Sequence, residues 1–387
     1  MEHSGATPHA AVTAAELTEL VLADGPFLSV YLTTEAEIDN AARRAEQRWK
    51  SLRSNLAHDG APEEVLGAVD PLVSDAHLMG QCMAVFATPG GLVHVEHHPD
   101  PPVEDLGRWA ALPLLTGVLR WRQSSPPHVA VLADSRGADL FGLRAAAPNI
   151  PREAAGGGDL VGSSAPHGES QRRNHHRVES LWEQNAKAVS DEVVRLVQDV
   201  DARVVVAAGD VRAVELLKEA LPKEVLGKLE VVDGGRSPDG SIDSVVTDVD
   251  RLVEAAVAHD TDVMLAKFRE ESGQDDRASD GPARTLEALA MAQVETLLLH
   301  DDPADDRQGW FGPDATHVAL TEDTIQAMGV NEHQRARLVD VAVRAALGTG
   351  AGVCVIPGET SADGPTDGLG AILRWSSGTP ASSAGAS

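Results

Sequence analysis

Residues 154–200 restrict most sharply what this chain can fold into. The stretch reads AAGGGDLVGSSAPHGESQRRNHHRVESLWEQNAKAVSDEVVRLVQDV. Its first half, with Gly156, Gly157, Gly158, Gly162, Ser163, Ser164, Pro166 and Gly168, has no apolar periodicity and many helix breakers, which predicts a long exposed loop. The second half predicts a helix with Ser170 as its N-cap. There Val178, Trp182, Val189, Val193, Leu196 and Val200 recur at helical spacing and form one apolar stripe.

Between loop and helix sit Arg172, Arg173, His175, His176 and Arg177, against the single carboxylate of Glu169. The chain as a whole carries 60 Asp and Glu against 32 Lys and Arg, a net charge of −28. A local cationic spot in so acidic a sequence, beside glycines and at the start of a stiff helix, is a way to reach a phosphate backbone. The bland alternative is a loop that only keeps the protein in solution. Over most of the surface the acidity repels nucleic acid, so RNA contact must be local or helped by a partner protein. The total acidity itself is explained by solubility.

At 387 residues the chain predicts two or three domains, and its 42% hydrophobic content is enough to bury a core in most of them. Aromatic residues are scarce, so the cores should be aliphatic. Cys82 and Cys354 lie far apart in apolar runs and read as small buried hydrophobes, neither disulfide nor metal ligands. The N-terminus lacks a basic start and an apolar core, and no uninterrupted apolar span of membrane length occurs. A soluble, cytoplasmic protein is expected.

The elements predict an N-terminal α/β domain over 1–125. It holds a helix over Thr13–Leu22, a buried strand over Pro26–Thr34, helices over Ile38–Leu56 and Pro62–Leu78, and a hairpin turning at Pro89-Gly90-Gly91. His94 and His98 share a strand face with Glu96, which suggests a metal site, but no third spaced ligand follows. QSSPPH is a linker. A middle domain over 126–260 opens with a hairpin around Asp134-Ser135-Arg136-Gly137, with Gly137 as the left-handed residue. It continues through the 154–200 loop and helix, a strand at Arg203–Gly209, a helix, another strand and a helix over Ser241–His259. The C-terminal domain, 261–375, reads as a helix at DVMLAKFREESGQ, a loop at DDRASDG, a helix beginning at Pro282, and a strand at VETLLLH. An acidic surface loop follows, with Trp310 and Phe311 either tucked under it or offered to a partner, then a helix over Asn331–Leu347 and two closing strands, GVCVIPG and LGAILRW. The tail 376–387 has no means of folding alone. The fold class is α/β, with mixed sheets flanked by helices.

Several of these runs carry a resemblance. DVMLAKFREESGQDD, ARTLEALAMAQVETLLLHDD, GVCVIPGE and DGLGAILRW resemble the C-terminal, L7Ae-like domain of archaeo-eukaryotic peptide release factors and Pelota. VAVLADSRGADLF resembles the opening hairpin of their central domain, and HGESQRRNHHRVESLWEQNAKAVSDEVVRLV sits where they carry a Gly-Gly-Gln loop and a long helix. The order of motifs over His128–Trp375 is similar to the bacterial branch of this superfamily, which includes Balon-type ribosome hibernation factors. The resemblance implies a three-domain, release-factor/Pelota-like architecture. It also implies a ribosomal partner, with rRNA, the A site and the peptidyl-transferase region in reach. A translational GTPase such as elongation factor Tu, or a ribosomal stalk-base protein, would meet the C-terminal domain.

The departure is at the tip, where Gly-Gly-Gln falls on His167, Gly168 and Glu169, with Ser170 continuing the match. Peptide release needs close backbone approach and an N–H aimed at a developing oxyanion. His167 adds a Cβ where glycine is expected, and Glu169 places a carboxylate where negative charge accumulates. The resemblance therefore implies occupancy without hydrolysis. His167, Gly168, Glu169, Ser170, Gln171, Arg172, Arg173, His175, His176 and Arg177 are the RNA-contacting candidates, with no catalytic residue, metal or cofactor. Two other readings stay open: a peptidyl-tRNA hydrolase with a variant tip, and a stress protein that meets another protein through its acidic surface and Trp310–Phe311. No GxxxxGK[ST], HExxH, paired CxxC or GxSxG occurs. Gly234-Gly235-Arg236-Ser237 reads as a turn, and Met291 with the leucines of LEALAMA as core.

Overall fold

The computed structural model describes residues 12, 15–35, 40–76, 80–98, 104–134, 137–143, 150–155, 169–232, 243–273, 277–300, 302, 305–357 and 364–375, and for 15–16, 75, 150–155, 169–184 and 243–248 the backbone alone. The chain forms two compact units: residues 1–123 with 259–387, and residues 124–258.

The first unit begins with α1 (Ala15–Leu22) and β1 (Phe27–Thr33), followed by α2 (Ala41–His58), α3 (Glu63–Asp75), β2 (Cys82–Ala87), β3 (Val93–His98), β4 (Leu106–Ala110) and α4 (Thr116–Ser124). The strands form an antiparallel sheet in the order β3-β2-β1-β4. FLSVYLT and CMAVFA are apolar almost throughout because this sheet is covered on both faces. Leu28, Val30 and Leu32, with Met83 and Val85, meet Trp49, Leu56, Leu66 and Val69 from α2 and α3. The alternate residues Phe27, Tyr31, Ala84 and Phe86 point the other way, toward Leu17, Leu20, Val118 and Leu119 of α1 and α4. The short strand β4, LGRWA, carries only one clear apolar alternation and is not foreseen from the sequence. It is recruited by pairing with β1.

The second unit opens with a meander of β5 (His128–Ala133), β6 (Gly137–Leu143) and β7 (Ile150–Ala155), the last of which takes up Ala154 and Ala155 from the start of the expected loop. Then come α5 (Glu169–Val200), β8 (Val204–Gly209), α6 (Val211–Ala220), α7 (Lys223–Leu226), β9 (Leu229–Val231) and α8 (Asp243–Gly273). The sheet order is β7-β6-β5-β8-β9, with β5, β8 and β9 parallel. Val129, Val131, Leu140 and Val205 face α5 and α6, while Ala130, Leu132, Val206 and Ala208 face Val249 and Val253 of α8. Asp210 caps α6 by accepting the N–H groups of Arg212 and Ala213. Gly209 before it has a φ of 138°, and a Cβ there would stand 1.9 Å from the Ala133 carbonyl oxygen.

Helix α8 is continuous where two helices are expected on either side of 260. His259, Asp260, Thr261 and Asp262 look like a linker by polarity, but none is a helix breaker. Its second half brings Met264, Leu265 and Phe268 into the first unit, against Leu298, Cys354 and Ile372. That unit continues with β10 (Ala278–Asp280), α9 (Pro282–Ala290), β11 (Val294–His300), β12 (Gln308–Phe311), β13 (Val318–Ala319), α10 (Glu322–Ala327), β14 (Gln334–Arg337), α11 (Leu338–Gly348), β15 (Gly352–Ile356) and β16 (Leu369–Leu373). One sheet runs β10-β16-β11-β15 and a small one β13-β12-β14.

Three local expectations are corrected here. ASD in the supposed DDRASDG loop pairs with β16 as β10. Residues 334–337, expected in a helix, pair with Gln308–Phe311 as β14, because the 3.6-residue apolar period begins only at Leu338. Met291 follows α9 and is 56% exposed, whereas Leu286 and Leu289 are buried as expected.

The outer edge of β15 is closed without a full strand. Val12 exchanges backbone hydrogen bonds of 2.8 and 3.1 Å with Val353. Two residues on, the buried Gln123 side chain accepts from the Val355 N–H at 2.8 Å and donates to its carbonyl at 3.0 Å. Among the described residues no helix is long and apolar enough to cross a membrane. Truncating Gln123→Ala strands two buried peptide groups and is expected to cost about 2–4 kcal/mol, read as a lowered urea midpoint for the first unit.

Buried His128, at the start of β5, gives the second unit a pH dependence. Burial pushes its imidazolium pKa down, against smaller upward pulls from the Pro126 carbonyl and Asp250. The folded state thus binds fewer protons than the unfolded one. Stability should be full above the unfolded value of about 6.5 and fall as pH drops below it. Thermal unfolding from pH 8 to 5 checks this, and His128→Gln should flatten the slope.

Candidate nucleic-acid interface

The candidate residues belong to α5, and its sequence explains how that helix is fixed. Ala186, Val189, Val193, Leu196, Val197 and Val200 are buried at three- and four-residue spacing, and from Val189 onward they pack on β5 and β6. Close approach depends on Gly142 in β6: a Cβ there would meet Leu196 Cδ1 at 2.7 Å and Val200 Cγ1 at 3.0 Å. Ser190 Oγ donates to the Ala220 carbonyl at 3.0 Å, tying α5 to the end of α6. Four of the six residues of the expected apolar stripe, Val189, Val193, Leu196 and Val200, are therefore core. The side chains of Val178 and Trp182 lie outside the described residues.

Helix α5 has 32 residues, which at 1.5 Å per residue is about 48 Å. Glu169 begins it, so Ser170 falls inside the first turn and is not the cap. The backbone places Glu169, Ser170, Gln171, Arg172, Arg173, His175, His176 and Arg177 on its first turns, roughly 26 Å along the axis from Ala186 to Glu169. Positions 169, 173 and 177 form one row and 172 and 176 the next. The leading N–H groups of such a helix lack intrahelical acceptors and carry the positive end of its dipole. Cationic residue types in those turns and that backbone field favour the same ligand, an anion. His167, Gly168 and the Gly156–Gly158 run lie outside the described residues, as do the side chains of 169–184 and the turn Gly234–Ser237.

A small open cleft lies beside the buried part of α5, lined by Ala133, Asp134, Gly137, Asn185, Ala186, Val189, Ala213, Leu216 and Leu217. The Asp134 carboxylate accepts the Gly137 N–H at 2.9 Å.

The other sequence candidates resolve as structure. His94 Nε2 lies 2.8 Å from Glu96, but Arg122 also grips that carboxylate, at 2.7 and 3.1 Å. Burial alone would raise the Glu96 pKa; the hydrogen bonds from His94 and Arg122 outweigh it and hold the carboxyl below its ordinary range. His98 stacks on Trp121, 5.0 Å between ring centroids. Among the described residues no group of three or more His, Cys, Asp or Glu could hold a metal ion. Both cysteines are free and buried, and burial pushes the Cys82 thiol up and that of Cys354 to about 12. Neither is a thiolate at neutral pH. Phe311 is buried beneath the Arg344 guanidinium, 5.4 Å from its ring, and Trp310 packs on His333. The pair expected in a surface loop is thus built into β12. Sequence reasoning missed Arg344, whose buried guanidinium donates to the Pro313 and Asp314 carbonyls; its place within a run of apolar helix residues was the available signal.

Replacing Gly209 by Ala forces a side chain against the Ala133 carbonyl at the base of this unit. A loss of more than about 2 kcal/mol is expected, seen as a drop in the melting temperature of the second unit.

Over 362 residues the chain is 26% identical to Uncharacterized protein Rv2629 of Mycobacterium tuberculosis (strain H37Rv), covering 92% of this chain and 95% of that protein; MT2704 of strain CDC 1551 gives the same values. Among solved structures it is similar to an archaeal translation termination factor (18% identity, 94% and 97% coverage of the two chains, TM-score 0.26). A chain from a model of ribosome-bound archaeal Pelota and ABCE1 gives 15% identity, 97% and 99% coverage and a TM-score of 0.42. Residues 127–274, running from β5 to the end of α8, match the model of Bacterial archaeo-eukaryotic release factor family 2.

Proposed function

We propose that this protein is a ribosome-binding translation factor of the release-factor/Pelota kind that occupies the A site of idle or stressed ribosomes without releasing the peptide, as a Balon-type hibernation factor. The observation that carries the reading is the family match over 127–274, which spans the whole of α5 with its cationic first turns. A helix start with cations is suited to phosphate, and rRNA or the acceptor end of a P-site tRNA supplies it. Arg172, Arg173 and Arg177 pair with phosphates, and His175 and His176 add stacking or charge that responds to pH. His167 and Glu169 in place of the resembled glycine and glutamine disfavour ester hydrolysis, since the carboxylate opposes the oxyanion. A translational GTPase such as elongation factor Tu is the proposed partner of the C-terminal part, and no cofactor is required.

The experiment is sedimentation with ribosomes through sucrose. Wild-type protein should pellet with them at low salt and be released as salt rises. Arg172→Ala with Arg173→Ala should weaken binding by about tenfold, about 1.4 kcal/mol. Protein that stays at the top of the gradient at low salt rules the proposal out.

The family's description as release factors favours one second reading, a peptidyl-tRNA hydrolase with a variant tip. In that case stalled complexes lose their peptide at saturating protein, and Glu169→Ala abolishes the loss. Under the occupancy reading no peptide is released by wild type, and Glu169→Gln does not create a release activity on its own while His167 remains.

A further inference from the structure

Helix α2 departs in charge from the chain around it. It carries Arg43, Arg44, Arg48, Lys50 and Arg53 against one carboxylate, Glu46, in a protein with 60 acidic and 32 basic residues. Its buried side is Ala41, Ala45, Trp49 and Leu56. At about 100° per residue, the direction opposite that side is taken by Arg43, Gln47, Lys50, Ser54 and His58, all exposed.

The flanking cations have partners. Arg44 and Arg48 each reach Glu35 at 2.8 Å, Arg48 also meets Asp105 at 3.3 Å, and Arg53 meets Glu63 and, at 3.1 Å, Asp70. The two on the outermost line differ. Among the described residues no carboxylate pairs with Arg43 or Lys50, although Glu46 stands at the four-residue spacing from Lys50 that often forms such a pair. They lie seven residues apart, about 10 Å along the axis, with the amide of Gln47 and the hydroxyl of Ser54 between and beside them.

We infer that the outer face of α2 is a second polyanion surface, which binds the phosphate backbone of RNA through Arg43 and Lys50 without reading sequence. Charge complementarity selects the partner: two exposed cations with no carboxylate partner among the described residues, together with neutral hydrogen-bond donors, match phosphate oxygens, and base edges are not required. A lipid surface fits less well, because a membrane-lying helix must insert an apolar face, and that of α2 is already in the core. The exposed Arg44–Glu35 pair is a weak one that phosphate can displace. This surface lies in the first unit and α5 contributes its core to the second, so the inference stands or falls apart from the proposed function.

The test is a salt titration of full-length protein binding to a fluorescently labelled RNA hairpin, with ribosome sedimentation run in parallel. Arg43→Ala with Lys50→Ala should reduce the slope of log affinity against log salt by roughly 1.4–1.8, at 0.7–0.9 for each phosphate contact, with an unchanged melting temperature. Arg172→Ala with Arg173→Ala serves as the independent arm. An unchanged slope in the α2 variant overturns the inference, even if the α5 variant loses ribosomes. So does absence of hairpin binding by wild type at low salt. Loss of binding to phosphatidylserine vesicles, with hairpin binding intact, assigns the face to a membrane and overturns it as well.

Discussion

The packing of one half of α5 against β5 and β6 is the constraint on which the rest of the second unit depends. Burying Val189, Val193, Leu196 and Val200 is what makes a helix of this length worth its ordering entropy, since an isolated helix gains little in water. The strands give way to it: Gly142 has no side chain because α5 lies too close to admit one. The opposite face of the same sheet is then left for Val249 and Val253 of α8. A three-layer arrangement follows, helix on sheet on helix, with parallel β5 and β8 at its centre.

Much of this was legible in the residues. Wherever apolar residues kept a period and breakers bounded the run, the element appeared: β1, β2, α5, β8, α6, α9, β11 and β15 all fall where the sequence puts them. The unforeseen strands share a cause. β4, β7, β10 and β14 are short strands whose pairing partner, distant in sequence, decides their state, so their own residues carry little signal. The junction within α8 misled because polarity was read as a break, although no Gly or Pro stands there.

The candidate interface was legible in a different sense. Its charge contrast is a property of composition, visible without coordinates, and the helix bearing it could be drawn from the stripe that follows. The role of Trp310 and Phe311 could not, since nothing local says that Arg344, far along the chain, closes over the Phe311 ring. Likewise the His94–Glu96–His98 face looked like ligands only until Arg122 and Trp121 arrived from α4 to occupy it.

The division of the chain into one continuous unit, 124–258, and one assembled from both ends has a consequence for how the protein is made. A nascent chain emerges from its N-terminus, so the α2–α3 side of the first sheet can condense early from neighbouring segments. Its other side, with Tyr31 and Phe86, shares a core with Leu338, Val341 and Val353 and must wait until the segment that holds them has been synthesised. In that interval residues 124–258 can complete a unit of their own, while one apolar face of the first sheet stays uncovered. The newborn protein is thus open to association with its own kind until residues 338–353 arrive and cover that aliphatic β-surface.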